Sequence, residues 1–353
     1  MKFDFSTNEP PDIFRDKRFD YLDGFRAFSI IAVVFGHIYF NENNILASYF
    51  SGDWGVEFFF VISGFLITTL LLKEKKKTST ISLKKFYIRR FLRIFPVAYL
   101  FLLILFLLSF VFHTDITPNS FYSSLLYVRN LPIFKSHDWY TAHFWSLSVE
   151  EQFYLLSPWL IRKNIKIYVI VAISLVITIP ILAFYVCHSN DNSFMLFFIN
   201  KLVVNQTAIL IGSLLSIFSY FNYIRIPKMS SFILLLLLLF SIFIKSNTLE
   251  FIPSVITPHI SALLLSVLII ASLQKKLKSW FYWVFNNFII VKIGILSYSI
   301  YIWQQIFTNY QMWRNLGIYF QSTTLNLLAL IVVSMISYYL YEKYFLKIKT
   351  KFS

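Results

Sequence analysis

Arg26 and His37 stand near the two ends of one apolar run, YLDGFRAFSIIAVVFGH at residues 21–37. Eleven steps separate them. At ~100° per helical residue both side chains return to within ~20° of one direction, ~16 Å apart along a single stripe. An ionisable residue inside a membrane-length apolar run is costly and by default marks a functional site. The pair also fits a plainer reading, in which Arg26 snorkels to a lipid headgroup and His37 ends the helix near water.

Two further stretches carry charge into apolar surroundings. In FYIRRFLRIFP, residues 86–96, Arg89 and Arg93 are four apart and Arg90 and Arg93 three apart, so they share one edge of a helix. Guanidinium forks pair phosphate oxygens bidentately, which suits a nucleotide-type cofactor or anionic lipid headgroups. In HFWSLSVEEQFYLLSPWL, residues 143–160, Glu150 and Glu151 enter an apolar segment. Adjacent helical side chains point ~100° apart, so only one of the two faces any given pocket. Tyr154 shares the face of Glu150. A buried glutamate there suits a proton relay, a hydroxyl acceptor, or an ion pair with Arg26.

Other polar positions are less specific. In WGVEFFFVISGFLI, residues 54–67, Ser63-Gly64 suits close helix packing, and Glu57 is expected near the outer end facing water. In GILSYSIYIWQQIFTN, residues 294–309, Ser297, Tyr301 and Gln304 line one face. There is no HExxH, P-loop or GxSxG, and no metal is expected. The single cysteine, Cys187, excludes an intrachain disulfide and a cysteine metal cage.

The elements that must position these residues are membrane helices. Of 353 residues, 58% are hydrophobic and only 14% charged, against roughly 45–50% and ~25% in soluble domains. The expectation is an all-α, polytopic membrane bundle with about ten spans, near 25–40, 54–72, 94–112, 145–161, 167–187, 194–219, 231–244, 254–273, 289–309 and 325–342. With the N-terminus inside, the cytoplasmic loops and tails hold 26 of the 32 lysines and arginines. Both termini are then cytoplasmic. The net charge of +15 is a cytoplasmic collar that touches membrane lipid, not a nucleic-acid groove. Residues 1–20 lack the apolar core of a signal peptide and form a cytoplasmic segment. The linker 73–85, KEKKKTSTISLKK, reads as a solvated loop. One transmembrane domain is expected over 21–345, with a cytoplasmic tail at 346–353.

Taken in order, LDGFRAFSIIAVVFGH, GVEFFFVISGFLI, RRFLRIFP and WSLSVEEQFYLLSP resemble the membrane-bound acyltransferase 3 family of bacterial glycan O-acetyltransferases. SYSIYIWQQ also resembles it, although histidine often stands where Gln304 is. Some members append an SGNH-type domain, and none is expected in this chain. The resemblance implies transfer of an acyl group, commonly acetyl, from cytoplasmic acyl-CoA to a hydroxyl of an extracytoplasmic or lipid-linked glycan, in the bacterial inner membrane. It implies Arg26 and His37 as an essential pair, Glu150 as the acidic position of its motif, and Arg89, Arg90 and Arg93 as the arginine motif that would dock the donor. His37 is then expected to act as general base, with Glu150 holding its tautomer or stabilising the imidazolium. An acyl-histidine intermediate is the competing mechanism. A glycolipid or small-solute transporter is the alternative function, since polar residues within spans suit a proton-coupled carrier.

Overall fold

An apolar stretch in lipid must satisfy its backbone hydrogen bonds internally, and the helix is the local solution. The structure, a computed structural model, describes residues 10–14, 19, 21–39, 52–114, 116–131, 133, 138–188, 205–245, 256–274, 279–309, 312, 316–317 and 321–352. Among the described residues all regular elements are helical. They are α1 (Leu22–Tyr39), α2 (Gly52–Thr78), α3 (Leu83–Phe112), α4 (Pro118–Leu125), α5 (Phe144–Lys163), α6 (Ile165–His188), α7 (Asn205–Tyr220), α8 (Ser231–Lys245), α9 (Thr257–Leu273), α10 (Trp280–Phe285), α11 (Phe288–Phe307), α12 (Thr323–Ile336) and α13 (Lys343–Thr350). A 3-10 turn, Asp12–Phe14, precedes α1, and a π-helical turn, Ser337–Glu342, joins the last two. The described part of every expected span falls on a helix. Residues 40, 194–204 and 254–255 of the first, sixth and eighth spans lie outside the described residues, as does most of the 1–20 segment.

Among the described residues, five helical stretches are long and apolar enough to cross a bilayer: α2, α3, Ile165–Tyr185 of α6, α11, and the continuous Thr323–Thr350. Shorter apolar helices accompany them. The chain is a multi-pass membrane protein. The most apolar window of α2 is 78% buried, whereas those of α6 and Thr323–Thr350 are 28% and 22% buried. So α2 is the central post and the other two face outward. It packs on α1, α5, α7 and α9, and α1 packs in turn on α11. Exposed Ile170, Ile181 and Leu182 on α6 form apolar surface of the kind lipid covers.

Glycines let these helices touch backbone to backbone. A Cβ on Gly64 would lie 2.0 Å from the Ile209 carbonyl oxygen of α7. Gly64 thus carries the packing role expected of Ser63-Gly64, whereas Ser63 turns its hydroxyl to Glu150. A Cβ on Gly294 would lie 1.8 Å from the Asp23 carbonyl oxygen, so α1 and α11 approach only because the position is bare. Gly294→Val is expected to destabilise by about 1–3 kcal/mol or more. The measurement is a lowered melting temperature of the purified protein in detergent; an unchanged one would contradict this packing.

Two expectations are corrected. The 73–85 linker is mostly helix: α2 continues through KEKKKT to Thr78 and α3 starts at Leu83. Lys and Glu are good helix formers, so the helix runs on past the apolar run and breaks only at Ser79, whose φ is 59°. Glu74 pins the turn, accepting from the Ser82 amide at 2.8 Å and pairing with Arg89 at 3.1 Å. Glu57 does not face water. It is 1% exposed and pairs with Lys245 from the end of α8 at 2.6 Å, the counter-charge that permits its burial.

The stretch before α5 is also tied down. Buried Arg129 and Asp138 pair at 3.3 Å, and Asp138 accepts from the Thr141 amide at 2.9 Å. Desolvation by burial lowers the Arg129 pKa, with Asp138 opposing that shift. This pairing fixes the neighbouring Trp139 against α11.

Candidate active site

Helices α1, α2, α3, α5 and α11 leave between them a cavity of about 720 Å³, mouth included. Four of the six expected site residues line it: Arg26 from α1, Arg90 and Arg93 from α3, and Glu150 from α5. Residues far apart in the chain are thereby brought to one place, because the central α2 holds α1 and α5 against its own sides.

The charges there are unevenly matched. Arg26 pairs with Asp23 at 2.9 Å, one turn away on its own helix. The Arg26–Glu150 ion pair weighed from the sequence is therefore replaced by a local one. Arg90 stacks its guanidinium over the Tyr154 ring, 4.1 Å from the centroid. Its Nε is buried without a hydrogen-bond partner. Neither Arg90 nor Arg93 has an ion-pair partner among the described residues. Glu150 accepts hydrogen bonds from the hydroxyls of Ser63 and Tyr154. Glu151 is not among the lining residues, as the ~100° separation of adjacent side chains requires.

Arg89 is placed elsewhere. It pairs with Glu74 and donates to the Phe352 carbonyl at 2.8 Å. That second bond ties the chain's end to α3, against which α13 packs. The tail expected from residue 346 is thus helical to Thr350, and Lys349 interacts electrostatically with Arg26, Arg89, Arg90 and Arg93.

His37 is not a lining residue of this cavity. The polar face of α11 leads from one to the other. Ser297, Tyr298 and Tyr301 line the cavity, and one turn further Gln304 places its Oε1 2.7 Å from His37 Nδ1. The Trp139 ring meets the imidazole edge-on, centroids 5.4 Å apart. The partner of His37 is therefore Gln304, and not Glu150 as the triad-like expectation had it.

Between the two lies His143, a residue that the sequence reading passed over. It is 3% exposed, and both ring nitrogens are buried without a hydrogen-bond partner. Its ring packs against Phe101 and Tyr301, at 5.2 and 5.7 Å. Tyr301 bonds the Ser146 hydroxyl and donates to the His143 carbonyl at 3.3 Å. The one sequence signal for His143 is that it opens the HFWSLSVEEQFY stretch. Among the described residues no three His, Cys, Asp or Glu side chains gather as a metal site.

A membrane bundle with a cationic cavity and an imidazole beyond it is the class of protein these features define. The chain belongs to the acyltransferase 3 family, whose sequence profile, described as an acyltransferase domain, matches residues 19–342. The peptidoglycan O-acetyltransferase OatA of Listeria monocytogenes is 36% identical over 149 residues, covering 39% of this chain and 23% of that one. The O-acetyltransferase OatA of Staphylococcus aureus is 34% identical over 149 residues, 39% of this chain and 24% of its own. A further Staphylococcus aureus protein (strain COL), provisionally named an O-acetyltransferase, is 29% identical over 322 residues, 80% of this chain and 49% of its own. The chain thus spans about half or less of the length of these relatives. No solved structure matches it.

Proposed function

We propose that this protein is an integral-membrane O-acyltransferase. It moves an acyl group, acetyl first, from cytoplasmic acyl-CoA to a hydroxyl of a cell-envelope or lipid-linked glycan, in the bacterial inner membrane. The observation that carries this reading is the presence of Arg90 and Arg93 in one bundle cavity without ion-pair partners among the described residues. Cations desolvated without partners are costly. A multiply charged anion, such as the phosphates of coenzyme A, offsets that cost on binding. Lysines concentrated in the expected inside loops favour approach from the cytoplasm.

The donor's phosphates dock on Arg90 and Arg93, with Arg26 beside them. Its flexible arm follows Ser297, Tyr298 and Tyr301 along α11, bringing the thioester towards His37. The rise of ~16 Å between Arg26 and His37 suits a long arm reaching across while the nucleotide end stays inside. At His37 the imidazole takes the proton of the acceptor hydroxyl. The hydroxyl oxygen bonds to the thioester carbonyl carbon, the carbon–sulfur bond breaks, and the thiolate leaves and is protonated. Glu150, bonded by Ser63 and Tyr154, shapes the cavity's polar wall rather than orienting the base. The relatives' names make peptidoglycan one acceptor to test, with lipopolysaccharide O-antigen, capsule and exopolysaccharide.

The test is purified protein in lipid nanodiscs with radiolabelled acetyl-CoA and envelope glycans from the host. Label should enter glycan in step with release of free coenzyme A thiol. Glycolipid movement across vesicles without thioester consumption would instead establish the carrier alternative.

A further inference from the structure

Gln304 and Gln305 are consecutive near the end of α11, and both are essentially fully buried, at 0% and 1% exposure. Two adjacent buried amides are costly unless their donors and acceptors are matched. They are matched here by a directed chain that ends on His37. Trp139 Nε1 donates to the Gln305 backbone carbonyl at 2.9 Å, and Gln305 Nε2 donates back to the Trp139 carbonyl at 2.8 Å. Turning the Gln305 amide over would set two carbonyl oxygens against each other, so its orientation is fixed. Its Oε1 is then an acceptor, met by Gln304 Nε2 at 3.3 Å. That leaves Gln304 Oε1 towards His37 Nδ1, at 2.7 Å. An amide oxygen can only accept. Nδ1 therefore carries the proton, and Nε2 keeps the lone pair.

We infer that the Trp139–Gln305–Gln304 chain sets the tautomer and aim of His37, which makes Gln304 a positioning residue and Nε2 the basic atom. The inference rests on the proposal that His37 is the base. Nε2 faces the start of α2, where a Cβ on Gly52 would lie 4.0 Å from it. The acceptor hydroxyl thus approaches beside Gly52 and the exposed Asp53. A neutral partner has a chemical consequence. It holds the ring in place without the strong stabilisation of imidazolium that a carboxylate gives, so the proton taken from the hydroxyl is readily passed on. Among the described residues the titratable groups that interact with the ring are Asp53 from α2 and His143 before α5.

The tautomer can be read directly, without an acceptor. In histidine-labelled protein in nanodiscs, the His37 ring nitrogens are assigned by their loss in His37→Gln. Their ¹⁵N shifts should report a protonated Nδ1 and a bare Nε2 in the wild type. Gln304→Leu should give mixed tautomers, with kcat for acetyl transfer lowered about 10–100-fold through the lost hydrogen bond to the charged ring and KM for acetyl-CoA unchanged. Gln304→Glu keeps an acceptor at nearly the same volume and serves if Gln304→Leu does not fold. Its carboxylate favours the imidazolium, so the acid limb of the rate profile should move to higher pH. A wild-type ring protonated at Nε2, or an unmoved limb in Gln304→Glu, overturns the inference. Wild-type transfer by His37→Gln overturns the underlying proposal instead and leaves the tautomer result standing.

Discussion

His37→Ala is expected to cut acyl transfer to a trace while the protein still folds and still binds its donor. A positioned general base contributes about 10²–10⁴-fold, which corresponds to about 3–5 kcal/mol of barrier. The fold should survive because His37 lies near the end of α1, only partly buried. Among the described residues its one side-chain hydrogen bond is to Gln304. Loss of that bond costs about 1–3 kcal/mol at most for the acceptor left behind. Donor binding should be preserved because the cavity lined by Arg26, Arg90 and Arg93 does not include His37. The measurements are kcat for transfer, coenzyme A affinity, and melting temperature on one preparation. Transfer at the wild-type rate removes His37 from the chemistry.

The same variant separates two mechanisms. With general-base catalysis, the wild type incubated with acetyl-CoA alone forms no acyl-protein, and His37→Ala lowers the rate without changing what is bound. A nucleophilic His37 would give an acyl-imidazole adduct in the wild type, absent from His37→Ala. Isolating that adduct would overturn the general-base mechanism. Gln304 bears on the choice, because an accepting amide at Nδ1 leaves Nε2 with a lone pair in either case. What differs is whether that lone pair meets a proton or a carbonyl carbon.

The helices were legible because hydropathy and length are both read along the chain, and the described part of each expected span lies on one. Helix ends were not. Lys73 to Lys77 belong to α2, and charge alone cannot separate a solvated loop from a helix that outruns its membrane. Four site residues were legible as types in apolar runs, and the cavity collects Arg26, Arg90, Arg93 and Glu150. Partners were another matter. Asp23, three before Arg26, is within reach of a helix-neighbour argument. Gln304 is 267 residues from His37, and Glu150 is 87 from Ser63. Such pairs depend on which helix faces which, and here that is set by bare positions such as Gly294 and Gly64. Arg89 shows the converse. Its spacing is as good as that of Arg90, yet Glu74 and the Phe352 carbonyl occupy it.

Arg93→Met should weaken acyl-CoA binding while leaving the ligand-free protein at least as stable as the wild type. A charge-assisted hydrogen bond contributes about 1.5–3 kcal/mol, so Kd for coenzyme A should rise about tenfold to 150-fold. The wild-type affinity should fall with added salt, and the variant's should fall less steeply. The stability sign runs the other way. Arg93 lines the cavity beside Arg90, with Arg26 and Lys349 also repelling it; Glu150 and Glu342 attract it from beyond ion-pair distance, and among the described residues no carboxylate pairs with it directly. Removing one of several crowded cations relieves repulsion and desolvation together. The melting temperature without ligand should therefore hold or rise, while the rise on adding coenzyme A shrinks, since ligand stabilisation follows RT ln(1 + [L]/Kd). Arg93→Lys should restore only part of the affinity, because an ammonium cannot supply the two-pronged contact of a guanidinium. A variant that melts earlier without ligand and binds coenzyme A as the wild type does would make Arg93 a structural cation, and the donor would then have to be sought outside this cavity.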